Sequence, residues 1–177
     1  RIKAMQPDIV IPANYYNEYA LLVRTMQQQR IVPKAIYSVL GGAASQYKFV
    51  QEFPEASNGI IDCNHWFNPK DPRAQALRKR VEAQGKFFNY EVFLTYTAMM
   101  YLADAIENAK SRDRGAITQA LANSTYSDHI MPYGQTKVVD GQNMGARPLM
   151  TQVLDGDIKV IFPTDYREAT PLFPMKG

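Results

Sequence analysis

Three short runs hold the side chains most able to do chemistry. The first is Ala13-Asn14-Tyr15-Tyr16-Asn17. It follows a β-branched apolar run, Asp8 to Ala13, and precedes residues at helical spacing. In open α/β sheets, ligands bind beyond the carboxyl ends of strands, beside the next helix N-terminus. Two phenols, two amides and free helix N–H groups suit a carboxylate or another polar head group. The same asparagines could equally cap a helix and the tyrosines could equally pack. The second run is Asp62-Cys63-Asn64-His65-Trp66-Phe67-Asn68, at the exit of another expected strand. Aromatic and amide side chains at a strand exit are good material for a pocket. The third is Asn89-Tyr90-Glu91, where a long helix begins. Its plainer reading is a cap at Asn89, with Glu91 complementing the helix dipole.

Other chemistry finds little support. Cys63 and His65 point to one face of a strand, but a nucleophilic pair needs an orienting third group and none is evident. Cys63, His65 and the distant His129 are too few for a metal site. Asp155 and Asp157 flank a turn and do not make an EF-hand loop. No G-x-S-x-G, P-loop, G-x-G-x-x-G or H-E-x-x-H pattern occurs. The reading is a binding module, not an enzyme, with no cofactor and no metal. Net charge is +3 and the basic residues are scattered. The one cluster, Arg78-Lys79-Arg80, reads as a solvated helix face, so nucleic acid is not an expected partner. A single cysteine excludes an internal disulfide. The apolar stretches fall well short of the roughly 18 residues that span a bilayer.

The elements that position these residues read as an α/β chain. Asp8–Ala13 suits a strand buried on both faces, and Asn14 and Asn17 suit caps. Tyr19, Leu22, Val23 and Met26 mark one face of a helix that Pro33 stops. Ala35–Val39 is a second strand, Gly41-Gly42 a loop, and a short helix runs through Tyr47 and Val50. Gly59–Trp66 is a third strand. This alternation predicts a parallel sheet. A helix spans about Arg73–Ala83, with Leu77 and Val81 inward and Gly85 at its end. The strongest helix spans about Asn89–Ala109, with Val92, Tyr96, Met99, Ala103 and Ile106 on its inward face. Arg114–Ala122 is a shorter helix. Period two then takes over: Gln135–Val139, a turn at Asp140-Gly141, and Met150–Leu154 and Ile158–Phe162 flanking Asp155-Gly156-Asp157. The tail from Thr164 is irregular.

The order of these segments resembles a known family. The run KAMQPDIVIPANYYNEYALLVRTMQQQRIVPKAIYSVLGG resembles the second lobe of type I periplasmic binding proteins. Within them it is most similar to the branched-chain amino acid, amide and aromatic-acid binding group. GIIDCNHWFNPKDP resembles the crossover to the first lobe, NYEVFLTYTAMMYLADAIENA its long helix, and GQTKVVDGQNMGARPLMTQVLDGDIKVIFP its closing strands. The resemblance implies a periplasmic-binding-protein-like I fold. That is a bilobed α/β protein of three-layer α/β/α lobes with parallel sheets, seen here as a C-terminal fragment that opens in mid-fold. It implies a second-lobe segment at 1–64, a first-lobe segment at 65–146, and a return to the second lobe at 147–177.

The same resemblance implies the solute-binding component of an ABC importer, located in the periplasm or lipid-anchored outside the cytoplasmic membrane. Its partners would be a small solute, an ABC permease and the missing N-terminal half of the protein. The family's tyrosine after the second-lobe strand falls on Tyr15. A family aromatic at the long helix falls near Tyr90 or Glu91. In amino-acid binders an acid holds the ligand ammonium, and the matching Ser38-Val39-Leu40-Gly41 has none. That favours a carboxylate, aromatic acid or amide over an α-amino acid. The expected ligand contacts are Asn14 and Tyr15 for the polar head, with Trp66, Tyr90 and Glu91 lining the cleft. The rival readings are a cytoplasmic amide or amino-acid sensor of the same fold, and an α/β enzyme built on Cys63 and His65.

Overall fold

The computed structural model describes residues 1–39 and 43–175. The Gly41-Gly42 loop and Leu40 of the acid-free region lie outside the described residues. The chain opens with helix α1 (Ile2–Met5), strand β1 (Ile9–Val10) and helix α2 (Tyr16–Gln28). Strand β2 (Ala35–Val39) is followed by a 3-10 turn (Ala43–Ser45) and the short helices α3 (Tyr47–Glu52) and α4 (Pro54–Ser57). Strand β3 (Ile61–Asn64) precedes three helices, α5 (Pro72–Glu82), α6 (Tyr90–Ala109) and α7 (Arg114–Ala122). Strands β4 (Val138–Val139), β5 (Gln142–Asn143), β6 (Leu149–Leu154) and β7 (Asp157–Phe162) complete the set.

The main sheet has the order β1-β2-β3-β6-β7. The first three strands are parallel, with Ile9 beside Ala35 and Ser38 beside Asp62. This is what the strand–helix alternation predicts. The last two are antiparallel, with Asp62 opposite Thr151 and Val153 opposite Ile158. Asp155 and Gly156, at φ 51° and 80°, form the two-residue turn between β6 and β7. Two residues can join strands only as a hairpin, so the sheet cannot be parallel throughout. Asp157 belongs to β7, not to the turn. A separate ribbon pairs β4 with β5 through a turn of the same kind at Asp140-Gly141.

Three local expectations are corrected. β1 is an edge strand with Ile9 52% exposed, not a strand buried on both faces. Neither Asn14 nor Asn17 caps α2. The N-cap is Tyr15, with no side-chain cap bond, so Asn14 sits one residue early and Asn17 inside the first turn. Most of the stripe assigned to the inward face of α6 points out: Val92 packs against the core as expected, but Tyr96, Met99, Ala103 and Ile106 are exposed, Met99 by 60%. Phe93 and Ala105 are buried instead. This helix is apolar around much of its circumference, so periodicity alone could not say which side faces the protein.

The core joins sheet and helices. Tyr19, Val23 and Met26 of α2 pack with Ile36, Phe49, Ile60, Val153 and Val160. Trp66, Phe67, Phe88 and Phe93 extend it toward α6 in edge-on and tilted contacts, with ring centroids 5.0 Å apart for Phe67 and Phe88. Such pairs add about 0.5–1.5 kcal/mol each beyond burial. Among the described residues, no helix is long and apolar enough to cross a membrane.

Candidate functional site

Because β1, β2 and β3 run parallel, their carboxyl ends emerge at one edge of the sheet. Asn14 and Tyr15 stand there, and Tyr15 is 83% exposed. Its neighbour Tyr16 is tethered: the hydroxyl donates to Glu52 Oε2 at 2.9 Å, and the ring lies edge-on to Phe49. Burial and the Glu52 carboxylate push the Tyr16 phenol up to about 12. Tyr16 therefore belongs to the scaffold, and Tyr15 beside it has an open face.

Beneath this edge lies a wholly buried polar cluster. Asp62 of β3 accepts a hydrogen bond from Ser38 Oγ at 2.8 Å and another from Ser45 Oγ. All three side chains are out of contact with solvent. Burial raises the Asp62 carboxyl above the usual carboxylate range, and the two hydroxyl donors pull the other way. The cluster ties β2 and the 3-10 turn to β3. Tyr19 Oη, Thr151 Oγ1 and Asn64 Nδ2 are buried nearby or on adjoining positions without partners among the described residues. Sequence reasoning does not single out Ser45, and it reaches Asp62 only as the start of a strand-exit run. The available signal is an aspartate at an inward alternate position of a predicted strand, which requires buried donors somewhere else in the chain.

At the start of α6, Asn89 occupies the N-cap position but makes no side-chain cap bond. Its Oδ1 accepts from Tyr47 N at 3.2 Å, which brings the helix start to the residues that follow β2. Tyr90 is half-buried, and its phenol is raised by burial and then by the neighbouring Glu91. Glu91 is exposed in the first turn, where its charge complements the helix dipole.

Trp66 departs from expectation. It is 0% exposed, with its ring against Phe67 and Phe93. Flanked by two phenylalanines, the indole is a core side chain and is not open to a ligand. Thus Tyr15 and Trp66 do not look into a shared crevice in this chain. Cys63 is a half-buried free thiol, and no side-chain bond joins it to His65 among the described residues. No cluster of three or more metal-ligating acids, histidines or cysteines occurs among the described residues. An apolar cavity of about 380 Å³ lies elsewhere, lined by Val23, Met26, Ile31, Ile36 and Met175. It sits at the amino end of β2, opposite the strand exits.

A family described as periplasmic binding protein matches residues 1–157. The chain belongs to the periplasmic binding protein family. Among solved structures, the leucine binding protein LivK from Thermotoga maritima is 23% identical. The match covers 90% of this chain and 47% of LivK, at a TM-score of 0.73. The branched-chain amino acid transporter substrate binding protein LivJ from Streptococcus pneumoniae, in complex with isoleucine, is 20% identical. It matches over 88% of this chain and 45% of its own, at a TM-score of 0.72. A branched chain amino acid ABC transporter protein from Thermus thermophilus with bound valine is 13% identical. That match covers 92% and 47%, again at 0.72. At these identities the likeness is one of fold. The chain spans about half the length of each of these structures. No curated protein matches it by sequence. The match is to binding proteins and not to enzymes, in line with the reading from motifs.

Proposed function

We propose that this chain is part of the solute-binding component of an ABC importer, working outside the cytoplasmic membrane, and supplies one wall of a ligand cleft between two lobes. The observation that carries this reading is the parallel register of β1, β2 and β3. It delivers their exits to one edge, where Asn89 also holds the start of α6. Asn14 and Tyr15 would take the polar head of the solute, Tyr90 would cover its apolar part, and Glu91 would stand at the rim. Trp66 would support them from the core.

The division of the chain fits two lobes. All five strands of the main sheet fall within 1–64 and 147–177. The stretch 65–146 contributes helices and the small β4–β5 ribbon, with no sheet for α6 to rest on. The exposed apolar stripe of α6 and the free edge of β1 are surfaces that a further segment would cover. The relatives are about twice as long, and the part of them without a counterpart here would supply it. The solute class is a small carboxylate, aromatic acid, amide or branched-chain amino acid. The relatives named for leucine, isoleucine and valine support an apolar body of that size.

The test is calorimetric titration of the two-lobed protein with L-leucine, L-valine, benzoate and acetamide. One of these classes should bind, and Tyr15→Ala should weaken it by more than about tenfold, through a lost hydrogen bond and aromatic contact. Affinity unchanged in the variant would remove Tyr15 from the site. No heat with any of the four would count against the solute classes named.

A further inference from the structure

Asn89 behaves unlike an ordinary N-cap residue. The first amides of α6 need acceptors, and an asparagine at this position normally supplies one. Here the side chain leaves its own helix and accepts from Tyr47 N, 42 residues away in sequence. Tyr47 opens α3 and is itself held from several sides. The residues just before it are anchored through Ser45 to Asp62. The Arg78 guanidinium of α5 lies over its ring, 5.1 Å from the centroid. Arg78 is fixed in turn by Glu82 at 2.7 Å and lies 3.8 Å from Asp157 of β7. Beside this junction is a cavity of about 550 Å³ lined by Tyr47, Arg78, Phe88 and Asp157. Around Tyr47, then, these polar contacts add direction to the buried packing by which α5 and the start of α6 meet the sheet.

We infer that Asn89 is a positioning residue: through Tyr47 it sets where the start of α6, with Tyr90 and Glu91, meets the edge at which the strands exit. The inference rests on the proposed reading in taking Tyr90 and Glu91 as ligand contacts. The juxtaposition itself can be tested without a ligand. Amide exchange at Tyr47 is followed by NMR in the 177-residue chain. In parallel, spin labels at exposed Leu21 on α2 and Met99 on α6 report the distance between these two helices, in a Cys63→Ser background. Asn89→Ala should speed Tyr47 exchange by about tenfold, the scale of one lost hydrogen bond, and broaden the distance distribution. Asn89→Asp keeps an acceptor and should restore both. Unchanged exchange and an unchanged distribution in Asn89→Ala would overturn the inference, as would failure of Asn89→Asp to rescue. In the two-lobed protein, Asn89→Ala should lower affinity for whichever of leucine, valine, benzoate or acetamide binds, again with rescue by aspartate. Wild-type protein that binds none of the four would count against the proposed function and leave the exchange result standing.

Discussion

Replacing Asp62 by alanine tests the buried cluster beneath the strand exits. The carboxylate accepts from Ser38 and Ser45, and all three side chains are fully enclosed. Alanine leaves two buried hydroxyl donors without an acceptor, at about 1–3 kcal/mol each. Relief of the carboxylate's own desolvation offsets part of that. The net loss is about 2–3 kcal/mol, or about 4–12 °C in Tm for a chain of this size. Asp62→Asn should lose less, because the amide oxygen still accepts from one serine and the other hydroxyl can turn to accept from the amide. The pH dependence separates charge from hydrogen bonding. Burial raises the Asp62 carboxyl in the folded chain, so its contribution is fully present below the unfolded value of 3.8 and is lost as pH rises through the folded one. Wild type should therefore lose stability relative to Asp62→Asn as pH rises from the acid side. Calorimetric melts of the three proteins from pH 4 to 8 read both effects. An alanine variant melting within about 2 °C of wild type, or an asparagine variant less stable than alanine, would refute the reasoning.

Three further outcomes are expected. His129 is nearly buried against Tyr133, with Nε2 2.8 Å from the Gly134 carbonyl and Nδ1 accepting from Met131 N. Burial lowers its pKa, so its stabilisation is present above the ordinary value of 6.5 and fades as pH falls through the folded value; melts between pH 7.5 and 5 should fall more in wild type than in His129→Gln. Buried Gln152 donates to the Gly59 and Leu172 carbonyls and accepts from Leu172 N, pinning the tail; Gln152→Leu should cost about 2–4 kcal/mol and make the segment after Tyr166 the first cut in limited trypsin digestion. Met99→Glu on the exposed face of α6 should shift the stability of this chain by no more than about 0.5 kcal/mol, whereas in the two-lobed protein it should cost about 2–5 kcal/mol; equal, small effects in both would mean that nothing covers the stripe.

Much of this protein is written locally. The limits of β2 and α7, the face of α2 carrying Tyr19, Val23 and Met26, and the turns at Asp140-Gly141 and Asp155-Gly156 follow from side-chain period, caps and turn residues acting within a few positions. The order of those elements was enough to reach the family. What the sequence alone could not decide is which apolar surface meets which. The stripe on α6 was legible but not its orientation, because a helix apolar on several sides is turned by its partners. Trp66 looked like pocket lining, and three-dimensional packing with Phe67 and Phe93 made it core. Asn89 read as a cap until folding brought Tyr47 within its reach. Ser38, Ser45 and Asp62 lie up to 24 residues apart and become one cluster only because β2 pairs with β3 in register. Short-range preferences set the elements, while contacts between distant residues depend on how those elements pack, and the candidate site is made of such contacts.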